Sequence, residues 1–247
     1  MLDVYDRNSM IIQKDVLRLS EFYTGQGDMA ACNLSNCIYV LNAGRRQVSS
    51  VARITKDEHQ FGISVWIKNL RLPVCDVGTI SVAANGNVII LSRQRSSMPV
   101  VVGIYDASGI VQHKIRLSPG TVSCVIQRAD GNLVLNSYDN VHETKLLEID
   151  TSGRMIREYQ SSGNKEGVES FEDDYGRILV IFREGRRIEL LDSEFNLLDS
   201  AVPRLDDGKR LFPQQLHYNR ERHEMIGVCY DRDAGTSALV TFRFTEE

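Results

Sequence analysis

The stretch QRADGNLVLNSYDN (Gln127 to Asn140) sets a turn dipeptide, Asp130-Gly131, directly against an apolar run. The same arrangement returns in AANGNVIIL (Ala83 to Leu91) and EDDYGRILVIF (Glu172 to Phe182). Their glycines, Gly86, Gly131 and Gly176, are 45 residues apart each time. Weaker copies lie one step outward on both sides, NLSNCIYVL and NRERHEMIGVCY, so five copies tile the chain. Self-similarity at a fixed period of this length marks a repeat architecture.

A second signal is interleaved with the first. GIYDASGIVQHKIRL, LEIDTSGRMIREY and ELLDSEFNLLDSAV each place an aspartate (Asp106, Asp150, Asp192) before a short polar turn. A carboxylate there accepts hydrogen bonds from N–H groups inside the turn, and Gly109 and Gly153 supply positive φ. The N-terminal DVYDRNSMIIQKDVLRL is a further copy, with Asp6 in the aspartate position. Each period therefore holds two hairpins and four strands, a to d. The Asn-Gly and Asp-Gly dipeptides predict type I′ turns between a and b. Strand b (NVIIL, NLVLN, ILVIF, CIYVL) is almost continuously apolar, as a strand covered on both faces must be. Strand d (VQHKIRL, RMIREY) mixes apolar with charged residues, as expected at an outer edge.

A four-stranded unit of this period, apolar within and polar outside, is a propeller blade. The fold expected is all-β, a β-propeller of four-stranded blades in a single domain over residues 1–247. Its repeats fall near 1–20 (a c–d hairpin), 28–70, 78–118, 121–160, 167–202 and 213–245 (strands a, b, c). An N-terminal strand d could complete the last blade. Strand c is then supplied twice, by LDVY and by ALVTFRF, which gives five blades by repeat count and six if the ends form an incomplete one. A β-sandwich, the competing reading, does not require two turn signatures at fixed phase.

The bulk composition is that of an ordinary globular protein: 42% hydrophobic, 25% charged, net charge −4. It fits neither a disordered chain nor a polycationic nucleic-acid binder. No apolar run approaches bilayer-spanning length and the N-terminus has no signal-peptide core, so a cytoplasmic chain is expected. Five cysteines make an odd count, which argues against a disulfide scaffold. Cys75, Cys124 and Cys229 sit in apolar runs and read as buried thiols. Cys32 and Cys37 flank NLSN across a tight hairpin, where proximity permits a disulfide in an oxidising compartment. Asn33 heads a glycosylation sequon that, without a secretion signal, reads as chance.

Along the whole chain the residues resemble the NHL-repeat and YVTN-type propellers of animals, including those of tripartite-motif proteins. The segments that carry the resemblance are VYDR (Val4 to Arg7), DMAAC (Asp28 to Cys32), NCIYV (Asn36 to Val40) and SVAANGNVII (Ser81 to Ile90). The Asp-Asn-Arg pattern common after strand b in such repeats is missing, replaced by FREGRR and NSYDN. The resemblance implies a propeller that binds protein or RNA. No RING, B-box or coiled-coil segment supports ligase activity.

In a propeller the b–c and d–a connections share one face. Four of the five b–c connections contain arginine: Arg45 and Arg46; Arg93 and Arg95; Arg183, Arg186 and Arg187; and Arg232. The fifth, NSYDNVHE, offers Tyr138. The d–a connections add Arg71, Lys165, Arg204, Lys209 and Arg210, diluted by Glu166, Asp206 and Asp207. The opposite face collects Asp57, Glu58, Asp106, Asp130, Asp150, Asp173, Asp174, Asp192 and Glu194. The basic face is the candidate surface for a protein partner with an acidic segment, since steering follows local potential and not net charge. Its competitor is the ordinary solvated loop whose arginines pair with neighbours such as Glu184, Asp231 or Asp233.

RNA is the alternative ligand, with Tyr23, Tyr138 and Tyr230 as stacking candidates. A metal-dependent, lactonase-like hydrolase is the second alternative, with Asp28, Glu169 and His217 on or near strand a as oxygen and nitrogen ligands. Strand a also needs polar residues simply to line a wet channel. No nucleophile elbow occurs, so neither catalytic residues nor a cofactor or metal are assigned. His59, His113, His142 and His223 read as loop or edge residues, and Trp66 as a packing residue of a d strand.

Overall fold

The computed structural model describes residues 2–5, 11–17, 27–32, 34–42, 49–56, 61–70, 77–93, 99–119, 121–138, 144–160, 168–182, 187–201, 212–219, 224–231 and 236–243. It is all-β. Blade 1 comprises β3 (Gly27–Cys32), β4 (Cys37–Asn42), β5 (Ser49–Lys56) and β6 (Phe61–Leu70). Blade 2 comprises β7 (Val77–Val82), β8 (Val88–Arg93), β9 (Pro99–Tyr105) and β10 (Val111–Pro119). Blade 3 holds β11 (Thr121–Gln127), β12 (Leu133–Tyr138), β13 (Thr144–Ile149) and β14 (Met155–Gln160). Blade 4 holds β15 (Val168–Glu172), β16 (Ile178–Phe182), β17 (Arg187–Leu191) and β18 (Leu197–Ala201). Every blade is an antiparallel sheet with its strands in chain order, the a-b-c-d succession of a β-propeller.

The ends depart from the expected blade count. The hairpin β1 (Leu2–Tyr5) and β2 (Ile11–Leu17) forms a two-stranded sheet, and β19 (Phe212–Asn219), β20 (Glu224–Asp231) and β21 (Thr236–Arg243) form one of three strands. Among the described residues the complete blades therefore number four, against the five or six read from the repeats. Both c strands in question, LDVY and ALVTFRF, stay in these partial sheets. The chain divides into two compact units, Met1–Pro119 and Gly120–Glu247. Within the first, β3 lies beside β7; within the second, β11 lies beside β15. Within each unit the inner strands of its two complete blades are thus neighbours.

Burial follows the strand letters. Residues 178–182 of β16 and 88–92 of β8 are all buried, as continuous apolar b strands require. Outer strand β14 has no buried residue, and in β10 Ile115 is buried while Val111 to Lys114 are exposed. Each unit has its own core between blades. Tyr39, Leu41, Val51, Val88 and Ile90 pack between blades 1 and 2, and Val134, Leu146, Val180, Phe182 and Phe195 between blades 3 and 4.

The turns differ from the expected type I′. Gly86 N–H donates to Ala83 C=O at 2.9 Å, and Ala83 N–H to Asn87 C=O at 2.9 Å. Arg128 to Asn132 and Asp173 to Arg177 close in the same way. Positive φ falls on the glycine alone (84° at Gly86, 92° at Gly131, 74° at Gly176), whereas type I′ needs it at two residues. The loop is one residue longer than a two-residue hairpin, so the glycine follows a type I turn as a bulge. The c–d turns share this pattern: Gly109 N–H donates to Asp106 C=O at 2.9 Å, and Gly153 N–H to Asp150 C=O at 2.9 Å. In blade 4 the position belongs to Phe195, with φ 71°. A large side chain pays strain there, and burial of its ring in the blade 3/4 core offsets it.

Candidate interaction surfaces

Of the arginines proposed for the basic face, Arg187 is the one whose side chain is described. It ion-pairs with the buried Glu189 and lies 5.4 Å from the Phe182 ring centroid. Tyr159 Oη donates to the other Glu189 oxygen at 3.0 Å. A buried carboxylate without such partners would be costly, so this guanidinium serves the blade interior first. Arg45, Arg46, Arg95, Arg183, Arg186 and Arg232 lie outside the described residues, as do Arg71, Lys165, Arg204, Lys209 and Arg210. Arg93 ends β8 and Tyr138 ends β12, with side chains outside the description.

The acids of the opposite face are largely consumed by their own turns. Asp150 Oδ1 accepts from Ser152 N–H at 2.9 Å and Arg154 N–H at 3.0 Å, and its Oδ2 meets Arg154 Nε at 3.1 Å. Asp106 accepts from Ser108 and Ile110, and Asp192 from Glu194 and Asn196, in the same geometry. Asp173, in an a–b turn, repeats it with Tyr175 and Arg177. These bonds favour the charged form. The Ser152 hydroxyl, followed by the Arg154 N–H, holds Asp150 at about 2, and Asp106 and Asp192 are lowered too. The face is acidic in composition, while most of its described carboxylates are turn closures.

Of the three proposed metal ligands, Asp28 and Glu169 have described side chains. Asp28, on β3, accepts from Met29 N–H at 2.9 Å through Oδ1 and from Ile80 N–H at 3.0 Å through Oδ2, tying β3 to β7. Burial raises its pKa, opposed by those two bonds. Glu169 sits half-buried on β15, and His217 lies on β19 with its side chain outside the description. Among the described residues, no three His, Cys, Asp or Glu converge as a metal site.

A buried ionic cluster in the second unit escaped the sequence reading. Arg128, the residue before the Ala129-Asp130-Gly131 turn, places Nη1 3.1 Å from Glu148 Oε1 and Nε 3.1 Å from Glu172 Oε1. Its Nη1 also donates to Ser193 C=O at 3.1 Å. Arg157 Nε meets Glu148 Oε2 at 2.7 Å, and Arg157 Nη1 donates to Ser193 C=O at 2.9 Å. Burial disfavours the Arg128 charge, but the Glu172 hydrogen bond and the Glu148 and Glu172 charges outweigh it and raise its pKa. Two arginines and two glutamates balance within the cluster, which ties blade 3 to blade 4.

In the first unit the same position is aromatic. Trp66, half-buried on β6, packs on Tyr39 at 4.5 Å and Tyr105 at 6.3 Å between ring centroids, and its Nε1 donates to Ala107 C=O at 2.9 Å. Ala107 and Ser193 each follow a c–d turn aspartate, so Trp66 and Arg157 make equivalent bonds. The packing role expected of Trp66 holds.

Exposed apolar residues also recur by position. Val111, Met155 and Leu197 each begin a d strand just after its turn, and they are 50%, 59% and 51% exposed. Ile156 and Leu198, the next residues in blades 3 and 4, and Ile110 in blade 2 are exposed as well. A strand that mixes apolar with charged residues does not show in its sequence which of the apolar side chains are exposed. His113 is exposed on β10, as an edge residue, whereas His59, His142 and His223 lie outside the description.

No protein-family profile matches the chain. No curated protein matches it either. The fold has solved counterparts. A protein of unknown function from Bacteroides caccae aligns over 87% of this chain and 77% of its own, with 18% identity and a TM-score of 0.63. Virginiamycin B lyase from Staphylococcus aureus aligns over 90% of this chain and 71% of its own, with 9% identity and a TM-score of 0.55. At these identities the likeness is one of fold. Among the described residues no helix is long and apolar enough to cross a membrane.

Proposed function

We propose that this chain is a non-catalytic interaction propeller that binds a protein partner in the cytoplasm. The observation that carries this reading is the recurrence of exposed apolar side chains at the head of strand d in blades 2, 3 and 4. Isolated exposed apolar residues are ordinary, but the same strand position left uncovered in three blades supports that position being kept for contact. The polar groups point the same way. Asp28 spends both oxygens on backbone N–H groups, and the turn aspartates spend theirs on loop closure, so their described bonds are structural. The resemblance to animal NHL repeats agrees with a binding role.

The arginine-bearing b–c and d–a loops are the second surface, suited to an acidic segment of the partner. Two triple variants distinguish the surfaces: Val111→Asp/Met155→Asp/Leu197→Asp for the apolar strand heads, and Arg45→Glu/Arg93→Glu/Arg186→Glu for the loops. Quantitative affinity purification with cross-link mapping is expected to lose the principal partner in one of them. Retention of every partner by both variants would sink the reading. Binding of single-stranded RNA that falls steeply with salt, and vanishes in the arginine variant, would replace the protein partner with RNA.

A further inference from the structure

Cys32 and Cys37 face each other as direct partners across the β3–β4 ladder. Directly opposed residues of an antiparallel pair have Cα atoms about 4.5–5.5 Å apart, inside the range of about 4.4–6.8 Å that a disulfide spans. Both are free thiols, and both are buried against Tyr39. They occupy the turn end of the hairpin, and Ala31, Leu34 and Asn36 around them are exposed. A small oxidant therefore has a short path to the pair. Trp66, the one tryptophan of the sequence, packs against the same cluster.

We propose that Cys32 and Cys37 are a redox pair that hydrogen peroxide converts to a cross-strand disulfide. One thiolate attacks the peroxide; its S–O bond forms as the O–O bond breaks, and the departing hydroxide takes up the thiol proton as water. The second sulfur then attacks the sulfenic sulfur, the S–S bond forms, and the S–O bond breaks to release a second water. Two thiols lose two electrons and two protons, and one peroxide becomes two waters. Burial raises the Cys37 thiol, opposed by the Tyr39 phenol and the Arg53 charge, so the reaction accelerates as pH rises.

The test uses the full chain. After peroxide treatment, blocking of free thiols and trypsin digestion, the peptide from Leu19 to Arg45 contains these two cysteines and no other. The expected result is that this peptide has lost two hydrogens and carries no blocking group, and that dithiothreitol restores two blockable thiols. Trp66 emission is expected to fall on oxidation and recover on reduction, and Cys37→Ser is expected to abolish both changes. Two blocked thiols in the peroxide-treated native chain, or oxidation that stops at sulfinic acid on either residue, would overturn the proposal. Neither outcome depends on the variant folding.

Discussion

Aromatic rings close the seam between blades 1 and 2, and charges close the seam between blades 3 and 4, yet both seams hang on one backbone position. Trp66 donates to the carbonyl after Asp106, and Arg157 to the carbonyl after Asp192. What differs is where the aromatic volume sits. In blade 2 the turn residue is Gly109, where an added Cβ would lie 3.3 Å from the Trp66 carbonyl oxygen and 3.6 Å from its ring. In blade 4 the equivalent residue is Phe195, whose ring lies 5.9 Å from the Arg157 guanidinium carbon. The ring comes from the strand in one seam and from the turn in the other, and the partner position accommodates it. A repeated backbone thus fixes a hydrogen bond and leaves its chemistry open.

The comparison breaks most readily at the ionic seam. Arg128→Ala removes the buried guanidinium that bridges Glu148 and Glu172, leaving Glu148 its pair with Arg157, and the expected loss is about 3–5 kcal/mol in urea unfolding. Replacing all three by Met, Leu and Leu is expected to recover most of that loss, because a buried ion pair often gains little over well-packed apolar groups. If the single and triple variants were equally unstable, packing and not charge would govern this seam.

At the aromatic seam, Asp28→Ala strands the Ile80 N–H and is expected to cost about 1–3 kcal/mol. Trp66→Phe keeps a ring but removes the bond to Ala107, with an expected cost of about 1 kcal/mol by thermal or urea unfolding. The smallest effect is electrostatic. Asp150 is held at about 2, below the ordinary value of about 3.9 for an unfolded aspartate. Its contribution to stability is therefore complete above the unfolded value and disappears as pH falls through about 2. Carboxyl chemical shifts followed by NMR should place its midpoint there; a midpoint near 4 would mean that the turn does not hold the charge.

The blade was legible because its signals are local. A b strand shows its burial in every residue, and an aspartate followed by glycine at the right interval marks its own turn. The turn type was misread because the dipeptide pattern does not reveal that the loop holds one residue more than a type I′ hairpin. The ionic cluster is illegible for a different reason: Glu148 lies 20 residues from Arg128 and reaches it through the strand order of blade 3, while Glu172 lies 44 residues away and reaches it only where blade 4 packs on blade 3. Nor did anything local distinguish Arg187, which pairs inward with Glu189, from an arginine turned to solvent. The exposed strand heads were hidden because an edge strand and a contact strand share one pattern until burial is known.

Four hairpins, at Asp106, Asp150, Asp173 and Asp192, are closed by their own first residue, whose carboxylate binds N–H groups two and four positions on. Such a loop carries its scaffold within five residues. It is a portable cassette: DTSGR could be transplanted onto another antiparallel pair of matching twist and would bring its shape along. The second residue of the cassette differs in all four (Ala107, Thr151, Asp174 and Ser193) and is then free to vary without redesigning the strands on either side.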